Sequence, residues 1–369
     1  MHKQTEFPLI CTRVHANWLG VVLLLTLTAC QGQTQTLSRC RPTPPMSANP
    51  KPGVGSLTLS REGKTLIVAG GDAKIRFVDI ATGEVRRTLA GHTNAIYRAV
   101  FSPDEKLLAS SSRDLTARVW EVASGREIHR LEGFRCSVKA VAFSPDGGMV
   151  AAAGNDGMLK LWDVKTGKEL KSLVHINSAD IDMSVYSVAF GRDGKKIYAG
   201  NGDGTISEWE IASGKETRLW KAHDATNLKL AFSPDYSLLA SYGDGLVKLW
   251  DTSSWRELRS MSTARAPAAF NYSSTMAFSH NGKLFAASGI GLDQKQTNYL
   301  YVQTLVWRVD TGEKLFTIEG HKFDVDGLMF TKDDHFLMTG SVDTTIKFWD
   351  METGLQSRTL TLPPRGNAN

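Results

Sequence analysis

The sequence predicts an all-β fold built from seven copies of one four-stranded antiparallel unit, and three observations predict it. A phenylalanine-like position is followed 18 or 19 residues later by a tryptophan-like one in the pairs Leu59/Val78, Phe101/Trp120, Phe143/Trp162, Phe190/Trp209, Phe232/Trp250 and Phe330/Trp349. A seventh pair, Phe278/Trp307, is stretched to 29 residues. The six intervals from each tryptophan-like position to the next phenylalanine-like one run 23, 23, 28, 23, 28 and 23 residues. Between short apolar runs, Gly, Asp, Asn and Pro cluster as tight turns require. A register kept over most of the chain means one supersecondary unit copied many times.

In chain order, the first 29 residues are a separate object. A weakly basic start with Lys3 and Arg13 precedes an apolar run from Trp18 to Leu27, and Thr28 and Ala29 lead into Cys30. The run is shorter than the roughly 20 residues of a membrane-spanning helix, so it reads as a secretory signal. Leu27-Thr28-Ala29-Cys30 resembles the lipobox of bacterial lipoproteins. That resemblance implies cleavage before Cys30 and acylation of its thiol, and several acyl chains on one residue anchor a protein stably. Gln31 is not the aspartate that retains such proteins in an inner membrane, so an outer membrane is expected if the source has two. Residues 30–53 hold five of the twelve prolines and form an extended tether.

Residues 54–362 carry the repeat, and residues 363–369 are a tail. Within the unit from Ser137 to Leu173, the run Val138, Val141, Phe143 ends at the turn Ser144-Pro145-Asp146-Gly147. Met149 to Ala153 follows, then Asn155-Asp156-Gly157, a strand ending in Trp162-Asp163, the turn Lys165-Thr166-Gly167 and a fourth strand from Glu169. One such sheet cannot bury both faces alone. Neighbouring copies must cover it, and four-stranded sheets stacked face to face around an axis form a seven-bladed beta-propeller. First strands are expected near residues 55, 96, 138, 185, 227, 273 and 325. The last unit brings its own outer strand from Leu355 to Leu362, so closure should rest on packing between first and last blades. A competing reading places Thr34 to Cys40 on that edge.

These residues resemble the WD-repeat family. Trp162-Asp163, Trp250-Asp251 and Trp349-Asp350 carry its dipeptide, and Gly91-His92 and Gly320-His321 its glycine–histidine pair. Trp120-Glu121, Trp209-Glu210, Val78-Asp79 and Trp307-Arg308 keep the register. The resemblance implies a buried network of His, Ser or Thr, Asp and Trp that ties strands together within a blade. His92, Asp114 and Trp120 belong to it with Ser110 or Ser112; so do His321, Asp343 and Trp349 with Thr339 or Ser341. His223, Asp244 and Trp250 are placed in an eroded copy, Phe134 replaces the histidine before blade three, and Val78 the tryptophan of blade one. An aspartate six residues before the tryptophan-like position recurs in six units, which argues for architecture and against a nucleophile with its base.

Composition excludes other classes. The chain has 369 residues, 41% apolar and 22% charged, with a net charge of +5 spread evenly, which is no nucleic-acid footprint. Cys40 and Cys136 remain once Cys11 is removed and Cys30 acylated, and two unpaired thiols are expected. No cysteine pair has metal-ligand spacing, and no cofactor is called for.

Function is sought where the repeat breaks. The long intervals place five extra residues near Ile176 to Met183 and near Thr263 to Tyr272, and blade six carries a ten-residue excess around Gly291 to Tyr301, in the turn between its second and third strands. All three connections leave the ring on the same face, and loops on a rigid scaffold are where binding residues sit. Arg265, Phe270, Tyr272, Gln294, Lys295, Asn298, Tyr299 and Tyr301 combine aromatic and polar groups as protein-binding surfaces do. Tyr97, Lys139, Tyr186 and Asp326 stand four residues before the phenylalanine-like position and should line the mouth of the central channel on that face. The expected function is a membrane-tethered, non-enzymatic scaffold for a protein partner in an extracytoplasmic compartment. A small-ligand or glycan binder is the alternative; an enzyme would need an acid–base cluster, for which Asp180, Asp182 and Asp326 are scattered candidates.

Overall fold

A computed structural model describes residues 53–175, 182–224, 227–263, 275–292 and 300–362. The chain divides into two units, residues 1–36 and 37–369, of which only the second contains described residues. Those residues form 28 strands in seven four-stranded sheets, each made of four strands consecutive in sequence and paired antiparallel. The fold is the seven-bladed propeller that the lattice predicts. Its inner strands are Val54–Leu59, Ile96–Phe101, Val138–Phe143, Val185–Phe190, Lys229–Phe232, Met276–Phe278 and Val325–Phe330, and they meet in cyclic order, the last against the first.

Local chemistry explains why the turns recur. After the inner strand of blade three, Gly147 adopts φ +73° and its N–H bonds to the Ser144 carbonyl at 2.9 Å, while Asp146 Oδ1 accepts the Gly148 N–H at 2.9 Å. Ser102 with Asp104, Ser233 with Asp235 and Thr331 with Asp333 repeat that arrangement. The aspartate of each Trp-Asp pair caps the next turn: Asp163 Oδ1 accepts the Thr166 N–H at 2.7 Å, and Asp251 and Asp350 do the same for Ser254 and Thr353. These are side-chain turns that compete with strand pairing and so end it.

Packing then fuses the blades. Ile67 and Ile75 of blade one share a core with Ile96, Leu108 and Trp120 of blade two, and Leu159 and Leu161 of blade three pack on Val185, Ile197 and Trp209 of blade four. The six lattice tryptophans are all buried, which makes them the layers between sheets. Closure uses the same means: Leu57, Val68 and Val78 pack on Met338, Ile346 and Phe348, and Arg358 donates to the Ile80 carbonyl at 2.6 Å. The outer strand of blade seven is its own, Gln356–Thr361. The competing assignment of residues 34–40 lies outside the described residues.

Two sequence expectations need correction. In blade six the second and third strands, Leu284–Leu292 and Leu300–Arg308, extend to nine residues each and pair Gly291 with Tyr301. Much of the excess placed in the turn is therefore ladder, because hydrogen-bonded pairing continues beyond the length used elsewhere. Cys136 is not a free thiol: it is disulfide-bonded, with its partner outside the described residues. It lies buried two residues before the inner strand of blade three. Sequence spacing cannot reveal such a contact, since one pair of cysteines makes no pattern.

Candidate functional site

The histidines and aspartates of the repeat are occupied by architecture. In blade two, His92 Nε2 lies 2.7 Å from Ser110 Oγ, which accepts the Trp120 indole N–H at 2.8 Å, and His92 Nδ1 lies 2.8 Å from Asp114 Oδ2. Burial would raise the Asp114 carboxyl, but hydrogen bonds from His92, Thr116 and the Thr93 backbone outweigh it and hold the group well below the usual range. Burial pushes His92 down despite its carboxylate partner. Blade seven repeats the set through Thr339 and Asp343. Ser112 and Ser341, the alternative hydroxyls, bond instead to backbone carbonyls at Asn94 and Phe323.

Blade five corrects one assignment. His223 and Trp250 meet on Ser241 Oγ, each at 2.8 Å, but Asp244 is exposed and takes no part. The Phe232/Trp250 pair is the one with spacing 18, and the missing residue comes out of this turn. What remains is a two-residue hairpin, Asp244-Gly245, with φ of +59° and +70°, which turns the carboxylate outward. His223, lacking that acceptor, is pushed down to about 4 by burial and by Lys248. Blade four holds a histidine that the register missed. His175 lies 3.2 Å from both Asp203 Oδ2 and Glu216 Oε2; burial opposes its charge, and the two carboxylates outweigh burial and raise it. The long interval before blade four had carried it out of the nine-residue spacing.

A cavity of about 400 Å³ occupies the propeller axis. Tyr97, Lys139, Tyr186 and Asp326, from blades two, three, four and seven, all line it. The walls also include Gly71, Asn155 and Val342, which lie between second and third strands, and Ala95 and Asn227, which lie between blades. The cavity therefore opens on the face that these connections share. Lys139 Nζ sits 3.8 Å from the centre of the Tyr97 ring, a cation–π contact. Tyr186 donates its hydroxyl to Asp182 Oδ2 at 2.7 Å, so Asp182 positions the ring without itself lining the cavity; burial and that carboxylate push the phenol up.

Two further residues on the cavity, Arg98 and Lys229, escaped sequence reasoning. A bulge between Ile96 and Arg98 breaks the alternation of the inner strand of blade two, so that Tyr97 and Arg98 both reach the cavity. The signal was a cation within each of two otherwise apolar inner strands. Lys229 Nζ reaches the Tyr186 carbonyl at 3.4 Å. Its pKa is lowered to about 7 by burial and by the neighbouring charges of Arg98 and Lys139, with Asp326 opposing.

Arg265, Phe270, Tyr272, Gln294, Lys295, Asn298, Tyr299, Asp180 and Cys30 lie outside the described residues, and Tyr301 belongs to the third strand of blade six. Among the described residues, no group of three or more His, Cys, Asp or Glu is placed to hold a metal ion.

Comparison with known proteins agrees with this architecture. The family described as "IFT122 first beta-propeller" matches residues 53–292, and that described as "WD domain, G-beta repeat" matches residues 312–350. A stretch of 49 residues is 43% identical to eukaryotic translation initiation factor 3 subunit I of Meyerozyma guilliermondii, covering 13% of this chain and 14% of that protein. Another of 43 residues is 58% identical to the probable E3 ubiquitin ligase complex SCF subunit sconB of Talaromyces marneffei, covering 12% of this chain and 6% of that protein. The chain thus spans a small part of these curated relatives, about the length of one repeat.

Proposed function

The chain belongs to the family of the IFT122 first beta-propeller, and from that premise we propose that it is a membrane-tethered scaffold that holds a protein partner on the face where its central cavity opens. The observation that carries this reading is the cavity rim. At one repeat register the cavity is lined by two tyrosines, a lysine and an aspartate, Tyr97, Tyr186, Lys139 and Asp326, whereas the tryptophan position that packs the blades is kept in six of the seven. A surface freed from packing and varied from blade to blade suits recognition. To the same partner surface we assign the blade six insertion, whose sequence holds Gln294, Lys295, Asn298 and Tyr299. Both short matches are to proteins whose names describe subunits of larger assemblies, in keeping with a scaffold.

The tether is the acylated Cys30, and the compartment is extracytoplasmic. The disulfide at Cys136 supports the second point, since such bonds persist in oxidising surroundings. Outer-membrane attachment follows from Gln31 if the source has two membranes. Two measurements test the proposal. Crosslinking capture with the full chain and with a form lacking residues 293–299 should recover a partner only, or mainly, with the full chain; equal recovery removes blade six from the surface. Labelling with a fatty-acid probe should mark the full chain and not Cys30→Ser, and a label retained by that variant rules the anchor out.

A second reading has one specific observation in its favour. Tyr198, Phe232, Tyr236 and Trp255 line a separate cavity of about 430 Å³ between blades four and five, with Tyr198 5.3 Å from Phe232 and 5.1 Å from Trp255. Aromatic walls with a few polar groups suit a small ligand such as a glycan. Saturable binding of an oligosaccharide, lost in Trp255→Ala, would favour it over the scaffold.

A further inference from the structure

The central cavity has a charge balance that its fold does not require. Arg98, Lys139 and Lys229 face it from blades two, three and five, and Asp326 is the carboxylate among its described lining residues. Three cations against one anion leave an excess of positive formal charge around a volume of about 400 Å³. Nothing in the packing of a propeller calls for this, because the register of Arg98 and Lys229 holds Ser56 in blade one and Thr275 in blade six.

The cations are not spent on one another's neutralisation. The Arg98 guanidinium makes no hydrogen bond or ion pair among the described residues. It is wetted by the cavity, yet enclosing protein still disfavours its charge. Lys139 leans on the Tyr97 ring, which leaves its ammonium protons free to donate, and Lys229 makes one long bond of 3.4 Å to a backbone carbonyl. A guanidinium and two ammonium groups facing one confined volume are what an anion with several oxygens needs. The guanidinium offers a planar fork, and the ammoniums act as point charges. The volume lies in the range of small-molecule sites.

We propose that the central cavity binds a small oxyanion carrying two or more negative charges, a di- or tricarboxylate or a phosphate compound, held by Arg98, Lys139 and Lys229. The site shares Lys139 with the partner-binding face but does not rest on that reading, because it is argued from the charges around the cavity alone. Asp326 disfavours a ligand that would fill the whole perimeter with negative charge, and Tyr97 and Tyr186 supply its apolar sides.

The test is calorimetric titration of the full chain with citrate and, separately, with pyrophosphate, at constant ionic strength. A neutral sugar and a short poly-glutamate peptide serve as further arms. Saturable binding of one stoichiometric citrate or pyrophosphate is expected, and the preferred arm names the source as carboxylate or phosphate. Arg98→Gln and Lys229→Gln should each weaken it about tenfold or more, as loss of a charged hydrogen bond does. Lys314→Gln, on an exposed outer strand, should leave it unchanged. Because Arg98 and Lys229 repel each other, neither variant should melt below wild type without ligand, which separates lost binding from lost folding. The anion should raise the wild-type Tm and leave that of Arg98→Gln unmoved. No saturable heat with either anion, binding of the peptide alone, or affinity unchanged in both cavity variants would overturn the proposal. Partner capture by Arg98→Gln at the wild-type level, alongside lost anion binding, shows the two sites to be separate.

Discussion

Trp349 and His321 meet on one hydroxyl: Thr339 Oγ1 accepts the indole N–H at 2.8 Å and lies 2.8 Å from His321 Nε2. Asp343 is a carboxylate and can only accept, so the ring carries a proton on Nδ1, facing Asp343 Oδ2 at 3.0 Å, and in the neutral ring Nε2 accepts the Thr339 hydroxyl proton. The relay then has one direction, set by the member that cannot donate, the carboxylate. His321→Ala should therefore lower the melting temperature, since it leaves the Thr339 proton without its partner and removes one donor from Asp343 Oδ2, at about 1–3 kcal/mol for a buried unsatisfied group. Thr339→Val should be at least as harmful, because it strands both Trp349 and His321, while Thr339→Ser should be near wild type. Thermal unfolding followed by circular dichroism decides; an unchanged Tm for His321→Ala contradicts the architectural assignment.

Asp343 and Asp244 occupy the same place in the repeat and should respond in opposite ways. Asp343 accepts from the Lys322 and Thr345 backbones and from Thr345 Oγ1, and these bonds with His321 overcome burial to hold its carboxyl low. Asp343→Ala should destabilise by about 1–3 kcal/mol. Asp244 is exposed at φ +59°, so Asp244→Asn or Asp244→Gly should stay within about 0.5 kcal/mol of wild type. Denaturant midpoints compared for the two positions would reveal equal losses if Asp244 were part of a network after all.

That contrast shows which parts of the molecule the sequence made legible. The lattice of Phe and Trp could be read because each copy solves the same packing problem, so Trp162 or Trp250 announces a blade wherever it stands. Asp244 could not be told from Asp343, because a spacing of six from the tryptophan is kept while the turn before it loses a residue. His175 was hidden by the opposite event, a lengthened connection. At the cavity, Tyr97 and Lys139 followed from register, but Arg98 did not, because a bulge overrides strict alternation.

Cys136 offers a prediction independent of the repeat. It is buried beside Ser137 at the entry to blade three and disulfide-bonded, so mass spectrometry of an unreduced digest should find its peptide linked to one from the first 52 residues, where the other cysteines lie. Reduction, or Cys136→Ser, should lower stability by about 2–4 kcal/mol. A full count of free thiols in unreduced, denatured protein would be incompatible with this bond.

Lys229 should make stability depend on pH in a window that few surface groups share. Arg98, Lys139 and Asp326 face it, with Tyr97 and Tyr186 on the same walls, and burial with the two cations lowers its pKa from 10.5 to about 7. Between those values the unfolded chain holds a proton that the folded chain has released. Stability must then rise with pH across the window, and the penalty of a charged Lys229 is present in full below about 7 and gone above 10.5. Lys229→Gln should flatten this rise and exceed wild type in stability most at the low end. Denaturant titrations of both proteins at several pH values across the window check it: parallel profiles would mean that Lys229 titrates as an ordinary lysine and that the cavity is better hydrated than its enclosure implies.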